Sequence, residues 1–200
     1  MKIYFLRHGE SAANVDRVFA AKKVDPPLAE TGVKQIKSQA ESLKTIEFEA
    51  VYSSPLLRAR QTAEIVCRAN GLNYRIDDSL REVDVGTLDG QSEDDPKLWA
   101  VYENTVAQWQ AGKVGFAFPG GENAQEVTGR FKKLLDRIEG LYDGPVLLVG
   151  HCLLYMTVLW YWYSGRKDEV EKYHMGRGNY SIVNKENEKL DLVEFNVGPF

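Results

Sequence analysis

Positive charge never accumulates in this chain. Its 25 Lys and Arg stand against 29 Asp and Glu, a formal net charge of −4, and no block of basic residues occurs. That removes the electrostatic footprint of a nucleic-acid binder and of a protein held on an anionic membrane surface. Cysteine is equally scarce. Cys67 and Cys152 are too few and too far apart to frame a disulfide-stapled domain, so a reducing, cytoplasmic setting is expected. The N-terminal residues show neither a signal peptide nor a basic amphipathic leader, and no internal repeat, low-complexity tract or linker follows. Long apolar runs are also lacking, with one apparent exception. "VLLVGHCLLYMTVLWYWY" (residues 146–163) approaches the roughly 18 apolar residues of a membrane span. Gly150 and His151 break it after a short strand-like stretch, and it ends in Trp and Tyr. A buried strand, a tight turn and a buried helix explain it better, so no membrane partner is expected.

What remains is an ordinary globular composition, 44% hydrophobic over 200 residues, which suits one domain spanning 1–200 with a full-sized core. Residues 3–6 read as a buried strand and 14–28 as a loop. Val33, Ile36, Ala40 and Leu43 recur at helical spacing and predict a helix over 31–44. A short strand at 50–52 leads to Ser53-Ser54-Pro55, N-cap chemistry for a helix running to Ala69 and stopped by Asn70-Gly71. Residues 74–76 suggest another strand. A stretch over 83–121 is irregular apart from a short helix near 97–110 and reads as a cap-like insertion. A long amphipathic helix follows from Ala124 to Leu141, then a strand at 146–149 and a helix from about 153. Residues 181–183 and 190–195 flank a polar turn and read as an edge hairpin. Alternating strands and helices predict an α/β fold around a mainly parallel sheet with an antiparallel edge.

Chemistry gathers at the strand ends. Arg7-His8-Gly9-Glu10 follows the first strand, and Gly150-His151 follows the strand at 146–149. Arg58 falls in the first turn of the helix after residues 50–52. Ligands of open α/β sheets bind at the carboxyl ends of strands, so these residues could share one pocket. Two guanidinium groups match a phosphate, and a helix N-terminus adds backbone donors. One neutral imidazole could attack phosphorus while the other binds its oxygens, and a carboxylic acid would protonate the leaving alkoxide. Each residue has a plainer reading. A single strand-end His is more often structural, and a single helical Arg is usually solvated. The two histidines could instead hold a metal with Glu10 or Glu82, although neighbouring arginines oppose a divalent cation. His174 has no strand-end context and reads as structural or peripheral, and Cys67 as core.

Ordered motifs sharpen this picture. "LRHGESAAN" (6–14), "DPPLAETG" (25–32), "SSPLLRARQTA" (53–63), "LREVDVGTLDGQ" (80–91), "PGGEN" (119–123) and "VLLVGHC" (146–152) appear in sequence. Together they resemble the histidine phosphatase superfamily in its phosphoglycerate-mutase-like branch, across most of the chain. The resemblance implies a three-layer α/β/α sandwich and a nucleophile, His8, that becomes phosphohistidine. It further implies phosphate-binding roles for Arg7, Asn14, Arg58 and His151, and Glu82 as proton donor and later base. It implies no metal and no cofactor. Two positions depart from the family pattern. Cys152 follows the second histidine where Gly, Ser or Ala is common, leaving its backbone N–H for the phosphate but adding bulk. Asn123 stands where Ser is usual.

Phosphatase and mutase share the phosphohistidine, so the cap must separate them. Mutases of the family carry an arginine-rich cap. Between Asp84 and Gly121 this chain has only Lys97 and Lys113, against Asp84, Asp89, Glu93, Asp94, Asp95 and Glu103, with Trp99, Tyr102, Trp109, Phe116 and Phe118. That composition favours a phosphomonoesterase acting on a small phosphorylated metabolite, a monophosphate whose remainder is neutral, aromatic or apolar. The aromatics serve equally as substrate wall or core. A cofactor-dependent phosphoglycerate mutase is the alternative, and a non-catalytic phosphate-binding module a further one. Residues 160–163 suit either a homodimer surface or an interior helix face. His8 must be neutral to attack while Glu82 must be protonated, so a bell-shaped, mildly acidic pH profile is expected.

Overall fold

A computed structural model describes residues 1–186 and 189–198. Strands β1 (Lys2–Arg7), β2 (Ala50–Ser53), β3 (Arg75–Ile76), β4 (Val146–Gly150), β5 (Tyr180–Glu186) and β6 (Lys189–Val197) form one sheet in the order β3-β2-β4-β1-β5-β6. The β3-β2-β4-β1 portion is parallel, whereas β5 and β6 add antiparallel pairs at one edge. This is the mixed sheet the sequence predicts. Part of the expected hairpin turn, at 187–188, lies outside the described residues.

Period-two alternation divides the central strands between two layers. Tyr4 and Leu6 of β1, with Leu147 and Val149 of β4, face helices α2 (Glu30–Ser42) and α3 (Leu57–Asn70). Ile3, Phe5, Val146 and Leu148 point the other way, onto α5 (Ala124–Glu139) and α6 (Cys152–Val158). Phe5 stacks on Tyr155 with ring centroids 4.8 Å apart, and Phe131 meets Phe5 edge-on at 5.5 Å. Residues 83–121 contribute Val83, Val85, Leu88, Val106, Trp109 and Phe118 to this same apolar cluster. The insertion is therefore welded to the α5–α6 layer by buried side chains.

Local differences from the sequence reading have identifiable causes. Residues 12–15 form a single helical turn, α1 (Ala12–Val15), within the expected loop, closed by a reciprocal cap between Ser11 and Asn14. Helix α3 begins at Leu57 without a side-chain cap, so Ser53-Ser54-Pro55 does not act as one. The helix near 97–110 is α4 (Pro96–Gln110), longer than a fragment because Asp95 caps it and Pro96 opens it. The run at 146–163 divides into β4, α6 and a wide turn over Leu159–Tyr163. No helix among the described residues is long and apolar enough to cross a membrane. Of the aromatic run, Trp160 is interior and donates its indole N–H to the Asp168 carbonyl at 2.9 Å, while Tyr163 is exposed.

Candidate active site

Strand pairing sets the site's frame. Arg7 of β1 lies opposite Gly150 of β4, and the next amide, His8 N–H, donates to the Gly150 carbonyl at 3.0 Å. His8 and His151 thus leave neighbouring parallel strands side by side, with ring centroids 5.1 Å apart. The glycines beside them are required by close approach. A Cβ on Gly9 would stand 2.7 Å from the Gly32 carbonyl oxygen, and one on Gly150 2.7 Å from the Tyr155 hydroxyl. That hydroxyl is fixed by donating to the Leu148 carbonyl at 2.6 Å.

Hydrogen bonds assign the state of His8. Its Nδ1 lies 2.7 Å from the Gly9 carbonyl, which can only accept, so Nδ1 carries the proton. Arg58 Nε–H points at His8 Nε2 at 3.2 Å, which therefore presents a lone pair. Burial, then Arg58 and Arg7, hold the imidazole well below its ordinary pKa, so it is neutral near pH 7. His151 is fully buried, and its pKa is likewise held well below the ordinary value by burial and then Arg58. Its Nε2 lies 2.7 Å from Ser54 Oγ. Ser54 Oγ also accepts the Leu56 N–H at 3.3 Å, and among the described residues Nε2 is the acceptor within reach of its own proton. The network thus assigns the His151 proton to Nδ1, a buried donor with no partner.

Two further donors are left in the same condition. Arg58 and Arg7 are only 2% and 7% exposed, yet Arg7 Nε has no hydrogen-bond partner and Arg58 Nη1 has only a long ion pair, to Asp25 Oδ1 at 3.8 Å. Buried donors are seldom left so; these three belong to residues adjoining His8, an arrangement able to take up an anion, while Gln39 and Arg60 Nε are also unsatisfied elsewhere. Both guanidinium groups are otherwise held from outside. Arg58 Nη2 donates to the Ala20 carbonyl at 2.8 Å, and Arg7 Nη1 to the Met175 carbonyl. Ala20 is itself positioned by Asp89, a buried carboxylate that accepts the amides of Ala21 at 3.0 Å and Lys22 at 2.6 Å.

The arginines and His8 open into a cavity of about 430 Å³, which Asn14, Glu82 and Cys152 also line. Asn14 Oδ1 is spent on Ser11. Glu82 accepts the α6 amides of Leu154 at 2.9 Å and Leu153 at 3.2 Å, and its neighbour Val83 at 2.9 Å. Burial raises the Cys152 thiol, so it lines the wall uncharged. Of the residues expected at the site, Arg7, His8, Asn14, Arg58, Glu82 and Cys152 line the cavity, whereas His151 does not line it and lies behind His8, ring centroids 5.1 Å apart. Glu10 is elsewhere engaged, pairing with Arg177 at 3.0 Å and accepting from Thr31. No group of three or more His, Cys, Asp or Glu placed to hold a metal occurs among the described residues. Asn123 is not a pocket residue; it caps α5, accepting the Glu126 amide at 2.9 Å.

The cap residues divide by role. Trp109 and Phe118 are core, whereas Trp99 and Tyr102 join Phe19 as a wall of the cavity. Of the acids, Asp89 braces a loop, Asp95 caps α4 and Asp94 pairs with Arg17, while Glu93 and Glu103 reach the cavity. His174, expected to be peripheral, lines the cavity with Arg177 and Glu171. Sequence gave no signal for these three, because they reach the mouth from the irregular segment before β5. Ser54 had a signal, the Ser-Ser-Pro tripeptide, but its hydroxyl serves His151 in place of a helix cap.

A parallel sheet with two neutral imidazoles and two half-used buried arginines at its carboxyl edge defines a phosphate-handling α/β protein. The chain belongs to the histidine phosphatase superfamily, branch 1, whose family pattern matches residues 3–198. A sequence relative, "Probable phosphoglycerate mutase GpmB" of Escherichia coli O1:K1, is 34% identical over 152 residues, 76% of this chain and 69% of that one. Among solved structures, a mycobacterial glucosyl-3-phosphoglycerate phosphatase complexed with VO3 superposes with a TM-score of 0.82 at 23% identity, covering 98% of this chain and 99% of the other. A phosphoglycerate mutase from Bacillus anthracis also gives 0.82 at 23% identity, over 98% and 93%. The fold is therefore common to phosphatases and mutases.

Proposed function

We propose that the protein hydrolyses phosphate monoesters through a phosphohistidine on His8. The observation that carries this reading is the Nε2 lone pair of neutral His8, engaged only by the Arg58 Nε–H at 3.2 Å, beside Arg7 Nε and His151 Nδ1, which have no hydrogen-bond partner, and Arg58 Nη1, held only by a 3.8 Å ion pair to Asp25. Three equatorial phosphoryl oxygens would take those donors as charge spreads onto them in the transition state. Nε2 then bonds phosphorus as the bond to the ester oxygen breaks, and Glu82 gives that oxygen its proton. The positive charge arriving on the ring is steadied by Nδ1–H on the Gly9 carbonyl. In the second half, Glu82 takes a proton from water as its oxygen attacks phosphorus, releasing phosphate and neutral His8.

Hydrolysis is favoured over mutase chemistry by the cavity's charge. Its guanidinium groups, Arg7, Arg58 and Arg177, face the carboxylates of Glu93, Glu103 and Glu171 besides the acid Glu82, and Arg177 is itself paired with Glu10. Retaining a bisphosphorylated intermediate would add several negative charges to a site already short of cations. The test is phosphate release from 4-nitrophenyl phosphate in excess EDTA, for the wild type and His8→Ala. Release by the wild type and none by the variant is expected. Release abolished by EDTA would overturn the histidine nucleophile. Interconversion of 3- and 2-phosphoglycerate, with bisphosphoglycerate added, far faster than phosphate release would establish the mutase instead.

A further inference from the structure

The buried arginines fix where the anionic part of a ligand sits, but they leave most of the cavity's lining unexplained. Phe19, Trp99 and Tyr102 have ring centroids 5.0–6.0 Å apart and planes within 33° of parallel, forming one apolar wall. Glu103 is tied to that wall, accepting the Trp99 indole N–H at 2.9 Å. Glu93, half-buried, and Glu171 line the same cavity with no hydrogen bond or ion pair to their carboxylates among the described residues. Arg177, the one further guanidinium there, is already paired with Glu10.

A bound phosphate makes this arrangement lopsided. Its charge is met by Arg7 and Arg58, while both catalytic-site imidazoles are neutral and add nothing. The carboxylates of half-buried Glu93 and of exposed Glu103 and Glu171 then face the rest of the substrate across the mouth of the cavity. A neutral alcohol would leave Glu103 and Glu171 to water and Glu93 to the more distant charges of Arg17, Arg177 and Arg7, and an anionic one would be repelled. Aromatic faces beside carboxylates are the surroundings that attract a cationic nitrogen, through the ring quadrupole and by direct charge.

We infer that the alcohol half of the substrate carries a cationic nitrogen, so that the physiological ester is zwitterionic, phosphate on the arginines and ammonium against Glu93, Glu103, Glu171 and the aromatic wall. This rests on the hydrolase reading above. Burial, its largest influence, raises the Glu93 carboxyl, a cost that a bound cation would relieve.

The experiment compares ω-aminoalkyl phosphates of increasing chain length with methyl-terminated alkyl phosphates of equal length, reading kcat/KM for each pair. A preference of about tenfold or more for the amine is expected at the length that reaches the wall. Glu93→Gln and Glu171→Gln should each reduce that ratio. Equal turnover of both series at every length, or preference for the methyl ends, would overturn the inference while leaving the hydrolase intact. If neither series nor 4-nitrophenyl phosphate is turned over, the hydrolase reading is what has failed. Calorimetry with the matched phosphonates then reads the same preference in binding, and equal affinities would overturn the zwitterion as well.

Discussion

Removing a single oxygen, Ser54→Ala, tests the assignment of the site most directly. Ser54 is fully buried, and its hydroxyl makes two bonds, to His151 Nε2 at 2.7 Å and from the Leu56 amide at 3.3 Å. The first is short and leaves a wholly buried imidazole unsatisfied when lost; the second is long and contributes less. A buried polar group left without its partner costs about 1–3 kcal/mol, so the variant should unfold with a loss of about 2 kcal/mol. The catalytic effect has a separate origin. Without a hydroxyl proton at Nε2, nothing requires the His151 proton to stay on Nδ1, and the other tautomer turns a lone pair toward phosphate oxygens. Losing one preorganised donor to a developing charge costs about 10²–10³ in rate, and a partly populated wrong tautomer costs somewhat less. We expect kcat/KM for 4-nitrophenyl phosphate to fall about a hundredfold, with partial recovery in Ser54→Thr, which restores the hydroxyl. Urea unfolding reads the stability, and ring-nitrogen NMR shifts report the His151 tautomer. A urea midpoint that drops while kcat/KM stays within threefold would refute the reasoning, because the hydroxyl would then be structural only.

Other outcomes follow from the same geometry. His8 and His151 both titrate well below their ordinary value of 6.5 when folded, so the unfolded chain binds more protons just below that pH. Their contribution to stability is complete above pH 6.5 and falls with acidification, by up to about 1.4 kcal/mol per pH unit for each, until the folded pKa is reached. Urea midpoints measured downward from pH 7 should show that slope, to which His174, also lowered by burial, adds, and His8→Gln should reduce it by up to about 1.4 kcal/mol per pH unit; an unchanged slope would exclude His8 as a contributor. Because His8 stays neutral, kcat/KM should show no inflection near pH 6.5 attributable to the nucleophile, and an inflection there that persists with substrates whose own ionisation lies elsewhere would contradict the assignment. Asp89→Ala should free the loop that holds Arg58 through Ala20, lowering stability by about 2 kcal/mol and raising KM more than it lowers kcat; unchanged KM would show that Arg58 does not depend on this brace.

The sheet, both helix layers and the arrival of His8, Arg58 and His151 at one edge were legible in the sequence because hydrophobic period and strand-end position act locally. Val33, Ile36, Ala40 and Leu43 announce α2 without reference to anything distant. What escaped was set by contacts remote in the chain. Ser54 looks like a helix cap until His151, nearly a hundred residues on, claims its hydroxyl. Asp89 looks like one more acid of an acidic cap, and only the fold reveals that it binds the amides of Ala21 and Lys22. The cap aromatics could not be divided from composition, since burial of Trp109 and presentation of Trp99 depend on which face α4 turns inward. His174 and Arg177 reach the cavity from a segment without periodicity, where sequence carries no direction.

The 5.1 Å between the two imidazole rings is close to the 4.7–4.9 Å that separates any two hydrogen-bonded strands. In the proposed reaction the grip on a phosphate would thus be gauged by the repeat of the polypeptide backbone itself, and not by the loops around it. Insertions and substitutions in residues 83–121 can remodel the chamber above without disturbing that calliper. A lineage of such proteins can therefore exchange one alcohol for another at little risk to the bond-breaking step, for as long as Arg7 stays opposite Gly150.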